Sequence, residues 1–532
     1  FEFFLRSAYK RRKTNFLFFK ERGIPGPEPN FIFGNLLEVY KKGMLNATEQ
    51  WASKYGDVVG YFNGFKPVII LRDPLLIKQV FIRNFDNFTA RHLLTEVSAV
   101  VPINSVRLSR ISGDKWRGLR ALTSPAFKSS KLKRGFHIID ECTNEFLDIM
   151  KTKAEQERGG VDVTEPFCRL SMEIIMRFTM SAQLNVQAAS EKTDFLMNCA
   201  RDSVGQFAQS WTLFFNIVPL WYSIKKLIVF VRACLFELPS SIFHDHAAEL
   251  TRLRRAKGWT GCEDLLQLML NAEENHFAKA KSNGTNHYIG NSQQTNYSPP
   301  KLMRMTQFST EANAGLFVVA GLETVASSLS FTTYLLAKHQ DVQDKARAEV
   351  KSVLEKDGSV SYDNVFRLQY LAQVISESLR FYPPLPGIVS RRCMKNFESS
   401  DFRIPEGTNI SIPVRLMHHD PRYWKDPEQF NPERFSPENK TTIEPMSYIP
   451  YGVGPRNCPA SRFADMMLLL IIARIVADYK LHLSDEPEKA GCCYSETFGT
   501  SPLPQYKRSI NYIAPLVLAV AETGTWVRME KV

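Results

Sequence analysis

Cys458 is the residue whose surroundings point most clearly to chemistry, because it ends a loop-like stretch that begins at Tyr451. The stretch holds two glycines, which let a backbone pass close to a large, flat group. Arg456 supplies a fixed cation, and the apolar run 466–472 predicts a helix whose N-terminal end favours the thiolate over the thiol. A thiolate held in this way suits a metal better than a disulfide.

The segment 320–324, Ala-Gly-Leu-Glu-Thr, is the second candidate and lies within a long helical pattern over 308–339. Gly321 and Thr324 are poor helix formers, so we expect a bent helix that passes close to a ligand. Glu323 and Thr324 could pass protons through water, which the activation of oxygen requires. The same residues also fit a seam of small side chains in which Thr324 bonds back to its own helix.

Two further pairs of residues have spacings that suit helices. Trp116 and Arg120 are four residues apart, and Glu377 and Arg380 are three apart, so each pair can share a helix face. Pro383 predicts that the second helix ends before it. Taken alone, the first pair also fits a cation–π contact on the surface, and the second fits a surface ion pair.

Taken together, these motifs resemble the cytochrome P-450 superfamily of haem-thiolate monooxygenases. The family's cysteine loop has an aromatic residue, Gly, Arg, Cys and Gly at fixed spacing, and Tyr451, Gly454, Arg456 and Cys458 are in register with it. Tyr451 replaces the usual Phe, which adds a hydroxyl near the sulfur, and Ala460 replaces the usual Gly. The likeness is greatest to the microsomal, xenobiotic-oxidising branch that also contains thromboxane synthase.

The resemblance implies a mainly α fold with smaller β-sheets, a long central helix over the haem and a cysteine-ligand loop beneath it. The implied cofactor is haem b, with the Cys458 thiolate as the axial ligand of the iron. The residues expected to bind the haem, its propionates included, are Arg456, Trp116, Arg120, Arg91, Arg391, Gly454 and Ala320. Arg392 could take the place of Arg391. The expected catalytic residues are Thr324 and Glu323, and the charge network expected to support the loop consists of Glu377, Arg380 and Arg434.

The resemblance also divides the chain. Residues 1–22 are expected to be the end of an N-terminal anchor with its basic flank, and 23–30 a proline-rich hinge. Residues 31–532 are expected to form one catalytic domain with a flexible polar loop at 271–300. The apolar stretch 211–236 fits either a lid that dips into the bilayer or ordinary core.

Two local patterns complete the prediction of structure. Residues 58–62 and 67–71 are predicted to be strands joined by a turn at Asn63-Gly64. The segment 418–420, His-His-Asp, precedes Pro421 and is predicted to be extended. Adjacent side chains rarely face one ion, so the two histidines do not indicate a zinc site.

Composition narrows the class of partner. The chain has 532 residues, 44% of them hydrophobic, and a formal net charge of +12, which favours anionic partners. No basic block interleaved with aromatics indicates nucleic-acid binding. The resemblance implies an acidic NADPH-cytochrome reductase, a flavoprotein, with cytochrome b5 as a further partner and a membrane surface. The basic residues expected to receive the reductase are Lys128, Lys131, Lys133 and Arg134.

The expected function is insertion of one oxygen atom from O2 into an apolar small molecule, a xenobiotic, steroid or lipid, with electrons from NADPH. The expected location is the endoplasmic reticulum membrane, with the catalytic domain facing the cytosol. The residues expected to line the substrate pocket are Phe317, Ala320, Leu385, Ile388 and 498–503. Two alternatives stay open: an isomerase of the thromboxane-synthase type, against which Thr324 argues, and a non-catalytic haem-binding protein, which the Pro459-Ala460 step motivates.

Overall fold

The structure is a computed structural model that describes residues 9–10, 12–91, 102–157, 159–205, 224, 227–228, 231, 239–256, 263–282, 305–387, 389–399, 402–484, 494–495, 520–521 and 525–532. Some predictions fall wholly or mostly outside these residues: the end of the anchor, the stretch 211–236, the part 283–300 of the polar loop predicted at 271–300, Ile388 and the segment 498–503. Residues 271–282, predicted to belong to that loop, instead continue the helix Leu265–Ser282, so the predicted start of the loop is wrong. The proposed division at 22 and 30 stays a prediction.

The described chain is mainly helical, as predicted. Its α-helices are Leu36–Lys42 (α1), Met44–Tyr55 (α2), Pro74–Lys78 (α3), Gly113–Thr123 (α4), Ser129–Gln156 (α5), Thr164–Met180 (α6), Glu191–Gly205 (α7), Pro239–Ala256 (α8), Leu265–Ser282 (α9), Gln307–Lys338 (α10), Gln340–Asp357 (α11), Tyr362–Val365 (α12), Gln369–Phe381 (α13), Val414–His418 (α14), Pro437–Lys440 (α15) and Ser461–Asp478 (α16). Short 3-10 or π turns connect several of them.

The strands are short and form small sheets. They are Val58–Asn63 (β1), Lys66–Leu71 (β2), Val161–Asp162 (β3), Val389–Arg392 (β4), Phe397–Ser399 (β5), Phe402–Ile404 (β6), Asn409–Ile412 (β7), Tyr479–Leu483 (β8), Tyr494–Ser495 (β9), Val520–Ala521 (β10) and Trp526–Lys531 (β11). The prediction of a mainly α fold with smaller sheets is therefore confirmed.

The largest sheet has the strand order β1-β2-β7-β4, and strand β4 carries the predicted haem-binding residue Arg391. Strands β1 and β2 form the predicted antiparallel hairpin, with Asn63 opposite Lys66 across the turn. Gly64 in that turn has φ +67°, which only glycine adopts without strain. Strand β4 lies at the edge of the sheet and pairs antiparallel with β7, which brings Arg391 opposite Ile410.

Helix α10 is the central element, and it packs most extensively against α6. It begins where the Thr306 hydroxyl accepts a hydrogen bond from Ser309 N–H, as an N-cap should. By length and composition this helix could cross a membrane, but 67% of its most apolar 18-residue stretch is buried within the fold. The apolar run of α16 is buried as well, so both helices belong to one core.

One local prediction is wrong. The segment 418–420 was expected to be extended, but His418 is the last residue of helix α14. The presence of Pro421 restricts only the residue before it, so the helix can end two residues earlier without conflict. No group of three metal-binding side chains occurs among the described residues.

Candidate active site

A cavity of about 300 Å³ lies between α10, α4 and the segment that carries Cys458. Eight of the ten predicted catalytic or cofactor-binding residues line it: Arg91, Trp116, Arg120, Ala320, Thr324, Arg391, Arg456 and Cys458. Phe317 and Leu385, predicted for the substrate pocket, line it too. Gly454 and Glu323 do not. The structure therefore brings most of the predicted site together around one space.

The cysteine loop is a tight turn closed by its own backbone. The N–H of Cys458 donates to the carbonyl of Tyr451 over 2.9 Å, and the N–H of Asn457 donates to Gly454 over 3.0 Å. Gly454 has φ +74°, and a Cβ there would lie 2.0 Å from the carbonyl oxygen of Phe81. Gly454 is thus required where two backbone segments approach each other, and not where the cavity needs room.

The Cys458 thiol experiences opposing influences. Burial raises its pKa, while the N–H of Ala460 and the charges of Arg120 and Arg91 lower it. Burial outweighs the others, so the expectation of a favoured thiolate has the wrong net direction for the free thiol. A backbone N–H contributes as expected, but the cations that act on the thiol are Arg120 and Arg91. A metal ion bound to the sulfur removes the proton outright. The N–H of Ala460 and the charges of Arg120 and Arg91 would then stabilise the thiolate.

Arg391 and Arg456 are the most deeply buried cations of the cavity, with 1% and 3% exposure. Arg391 donates to the carbonyl of Val453 over 3.0 Å, and Arg456 donates to those of Leu108, over 2.9 Å, and Thr89. Burial and repulsion from Arg91 lower their pKa values, to about 9 and about 8 respectively. The neighbouring Arg392 is exposed, so Arg391 is the residue that faces the cavity.

Four arginines form a cationic wall of the cavity, and Trp116 packs against it. The other two members of the wall are Arg91 and Arg120. Arg91 donates to the carbonyl of Arg456 over 3.1 Å, and Arg120 donates to the carbonyl of Asn457 over 2.9 Å. The guanidinium of Arg456 lies 5.0 Å from the centre of the Trp116 ring. The arginines that line the cavity therefore bond mainly to backbone carbonyls.

This wall fits a group that carries carboxylates. Within the described residues, none of the four arginines that line the cavity has a carboxylate within 4.0 Å. The Nε atoms of Arg391 and Arg456 are buried, and neither has a hydrogen-bond partner among the residues that the structure describes. Buried cations of this kind are stabilised by an anion. Together with a sulfur on the same cavity, the donor set fits the two propionates and the iron of haem.

Thr324 and Glu323 do not act on the same space. The Thr324 hydroxyl lines the cavity and donates to the carbonyl of Ala320 over 2.9 Å, which is the back-bonding alternative. Glu323 is buried on another side of α10, where burial and the carboxylates of Glu165 and Glu323 raise the pKa of Cys168 to about 11. Successive helix residues point in different directions, so this separation follows from the helix itself.

Gly321 serves packing as well as the cavity. A Cβ at this position would lie 2.5 Å from Cδ1 of Ile175 on α6. The two helices therefore approach closely at Gly321, which also lines the cavity. The sequence predicted a ligand as the reason for a small residue, and the structure adds a neighbouring helix.

The predicted charge network is present in full. Arg380 donates to both oxygens of Glu377, over 2.7 and 2.8 Å, and both side chains are 0% exposed. The Nε atom of Arg434 lies 3.3 Å from Glu377, and Arg380 also donates to the carbonyl of His418 over 2.8 Å. Each charge in this network therefore has a partner.

His418 is a site residue that the sequence analysis missed. The N–H of Ile449 donates to its Nε2 over 3.0 Å, and its Nδ1 lies 3.3 Å from the carbonyl of Arg380. Since Nε2 accepts, Nδ1 carries the proton and the ring is neutral. Burial lowers its pKa to about 3. The ring therefore ties the Glu377–Arg380 pair to the segment that leads into the cysteine loop.

The basic face predicted for the reductase is largely engaged by acidic neighbours. Lys131 and Arg134 both contact Glu263, the latter over 2.5 Å. Lys133 contacts Asp363 over 2.7 Å. These side chains are mostly exposed, so such pairs contribute little stability and an acidic partner can compete for them.

Known proteins resemble the chain over most of its length. The family described as Cytochrome P450 matches residues 24–504. Cytochrome P450 3A41 of Mus musculus is 31% identical over 477 residues, which are 88% of this chain and 88% of the relative. Cytochrome P450 3A2 of Rattus norvegicus is 32% identical over 474 residues, with the same coverage of both chains.

Proposed function

The chain belongs to the cytochrome P450 family, and from that premise we propose that it is a membrane-associated monooxygenase acting on an apolar small molecule. The family consists of haem-thiolate monooxygenases, so the cofactor is haem with a cysteine ligand. The observation that carries the proposal is the position of Cys458 on the same cavity as Thr324 and four arginines, two of them buried, that have no carboxylate partner in the described chain.

Each part of the cofactor has residues to hold it. The sulfur of Cys458 would bind the iron, and Arg91, Trp116, Arg120, Arg391 and Arg456 would bind the propionates. When bound, haem with a thiolate ligand supplies the activation of O2 and the transfer of one oxygen atom. Ala460 has φ −104°, which any residue adopts, so the replacement of glycine there brings no backbone strain.

The chain's own residues shape the space for the substrate. The apolar side chains of Leu316, Phe317, Val325 and Leu385 line the cavity, which favours an apolar molecule and excludes water from it. The Thr324 hydroxyl lies on the same wall and donates its proton to the carbonyl of Ala320. Its oxygen could therefore accept a hydrogen bond from a water, and that water could take part in a proton relay. Glu323 lies away from the cavity, so solvent or another group must supply the relay's protons.

We propose a flavoprotein reductase that uses NADPH as the electron donor, with cytochrome b5 as a second donor. The formal net charge of +12 and the basic residues within 128–134, most of them exposed, support an acidic partner. We also propose the endoplasmic reticulum membrane as the location, with the catalytic domain facing the cytosol. The basic flank and the proline-rich hinge at 23–30 support an anchored protein.

Turnover with reductase tests this function. The holoprotein, NADPH–cytochrome reductase and lipid vesicles are incubated with steroids, fatty acids and xenobiotics that produce a spectral shift. We expect NADPH consumption that depends on the substrate, together with a product that carries one oxygen atom from labelled O2. Rearrangement of a peroxide without NADPH would instead identify an isomerase, and haem binding with neither reaction would identify a non-catalytic protein.

A further inference from the structure

Tyr451 and Asp465 form a hydrogen-bonded pair beside the cysteine ligand. The Tyr451 hydroxyl donates to Oδ1 of Asp465 over 2.5 Å. That length is typical of a bond from a hydroxyl to an ionised carboxylate. Tyr451 lies on the cavity wall, seven residues before Cys458, and Asp465 lies seven residues after it, near the start of α16. The hydroxyl of Tyr451 thus points to a carboxylate and not to the sulfur.

The pair is bonded to the cysteine loop, because the carbonyl of Tyr451 accepts a hydrogen bond from the N–H of Cys458 over 2.9 Å. Burial raises the pKa of Asp465, while the bond from Tyr451 lowers it. The charge of Asp465 in turn raises the pKa of the Cys458 thiol, against the effect of Arg120 and Arg91. The site therefore combines cations on the propionate wall with one acidic group behind the thiolate.

Packing alone does not explain an acid at this position. The neighbours of Asp465 on α16 include Phe463, Met466 and Met467, which are buried in the main core. An apolar residue at 465 and phenylalanine at 451 would fill similar space without desolvating a carboxylate. Replacement of buried charged groups by apolar residues is often neutral or stabilising, so core packing does not account for the acid at this position.

We propose that Tyr451 and Asp465 are a positioning pair that fixes a negative charge behind the Cys458 thiolate and lowers the reduction potential of the bound haem. This inference rests on the haem-thiolate site proposed above. A nearby negative charge stabilises the oxidised form of the cofactor, which carries one more positive charge than the reduced form. The hydrogen bond from Tyr451 favours the ionised carboxylate and holds it in place.

A redox titration of the holoprotein tests the pair. Dithionite supplies one electron per haem through mediator dyes, without substrate, and absorbance gives the midpoint potential. Asp465→Asn removes the charge and keeps the shape, so we expect a more positive potential. By Coulomb's law, the equilibrium constant for reduction should rise by roughly threefold to tenfold, and tenfold corresponds to about 59 mV for one electron.

Two further variants separate charge from structure. The double variant Tyr451→Phe/Asp465→Leu replaces the pair by apolar residues that pack, and it should shift the potential in the same direction. Asp478→Asn is the matched control, because it removes the same charge from the exposed far end of α16, about 20 Å away at 1.5 Å per residue. The control should leave the potential unchanged.

The ferrous–carbonyl spectrum is recorded for every variant. A retained red-shifted Soret band shows that the sulfur still binds the iron, and with it a shifted potential supports the pair. An unchanged potential with that band intact would overturn this inference alone, as would an equal shift in Asp478→Asn. Absence of the band from the wild-type protein would overturn both this inference and the haem-thiolate site.

Discussion

Two sets of buried arginines contact or belong to the segment 449–458, and they differ in what neutralises their charge. The first set is Arg380 with its partner Glu377, and the second is Arg391 and Arg456. Arg380 forms two hydrogen bonds with the carboxylate of Glu377, and it reaches the segment through His418. Arg391 and Arg456 bond to backbone carbonyls, and each has a buried Nε without a partner in the described chain. One set is electrically complete in the protein alone, and the other is not.

This difference separates support from binding. A closed ion pair holds a geometry and is damaged when one partner is removed. Buried cations without carboxylates destabilise the protein by themselves, and an anionic ligand offsets that destabilisation. We therefore propose that the first set supports the cysteine loop, whereas the second binds the cofactor.

The largest effect is expected from Glu377→Gln, which leaves Arg380 as an uncompensated buried charge. The free energy of unfolding should fall by about 3–5 kcal/mol, because both oxygens of Glu377 are used by Arg380. Urea unfolding followed by circular dichroism measures it. Glu433→Gln is the control, since its pair with Lys345 is exposed and should be worth about 1 kcal/mol or less. Equal losses in the two variants would erase the distinction between scaffold and surface.

An intermediate effect is expected from His418 as the pH falls. Its pKa is about 3 in the fold and 6.5 when unfolded, so below pH 6.5 the unfolded chain binds a proton that the fold excludes. Stability should therefore decrease from pH 6.5 towards pH 3, by about 2 kcal/mol at pH 5, and be independent of this group above pH 7. Urea unfolding at pH 8 and pH 5 gives the loss.

His418→Gln supplies the comparison for that experiment, because glutamine keeps an acceptor and does not titrate. The variant should lose about 2 kcal/mol less than the wild-type protein between the two pH values. His137→Gln is the matched control, because it removes an exposed histidine without touching the contacts of His418. An identical pH dependence in wild-type protein and His418→Gln would mean that the ring is not held neutral.

The smallest effect is expected from Arg391→Met, and it should differ in sign between two states. Without haem, the apoprotein should be as stable as the wild type or more so, because an uncompensated buried charge is removed. With haem, the rate of haem transfer to apomyoglobin should rise about tenfold, since a charged hydrogen bond to the cofactor is lost. Arg392→Met on the same strand, whose side chain is exposed, should change neither quantity. Destabilisation of the apoprotein would place Arg391 with the scaffold.

Local patterns predicted much of the fold and of the site. The long helix over 308–339, the hairpin at 58–71 and the helix after Cys458 depend on periodicity and turn residues that lie close together in sequence. The prediction of the P-450 family and of its mainly α fold is confirmed. The residues that line the cavity come from distant segments, so the resemblance, and not spacing, predicted their meeting.

The sequence does not reveal which way a side chain points or which distant residues it bonds to, and the remaining features of the site depend on both. Arg391 and Arg392 differ only in which side of β4 they face, and the pairing of that strand decides it. Glu323 and Thr324 are adjacent on α10, and helix geometry alone argues against one shared face. The partners of His418 lie 31 and 38 residues away, so no local pattern could reveal its bonds.

The ferrous–carbonyl spectrum of purified wild-type protein and of Cys458→Ala tests the central claim most directly. The wild type should show the red-shifted Soret band of a thiolate haem, and the variant should lack it while the protein stays folded by circular dichroism. Haem content measured on the same samples separates loss of the ligand from loss of the cofactor. An unchanged band in Cys458→Ala would contradict the assignment of this sulfur as the iron ligand.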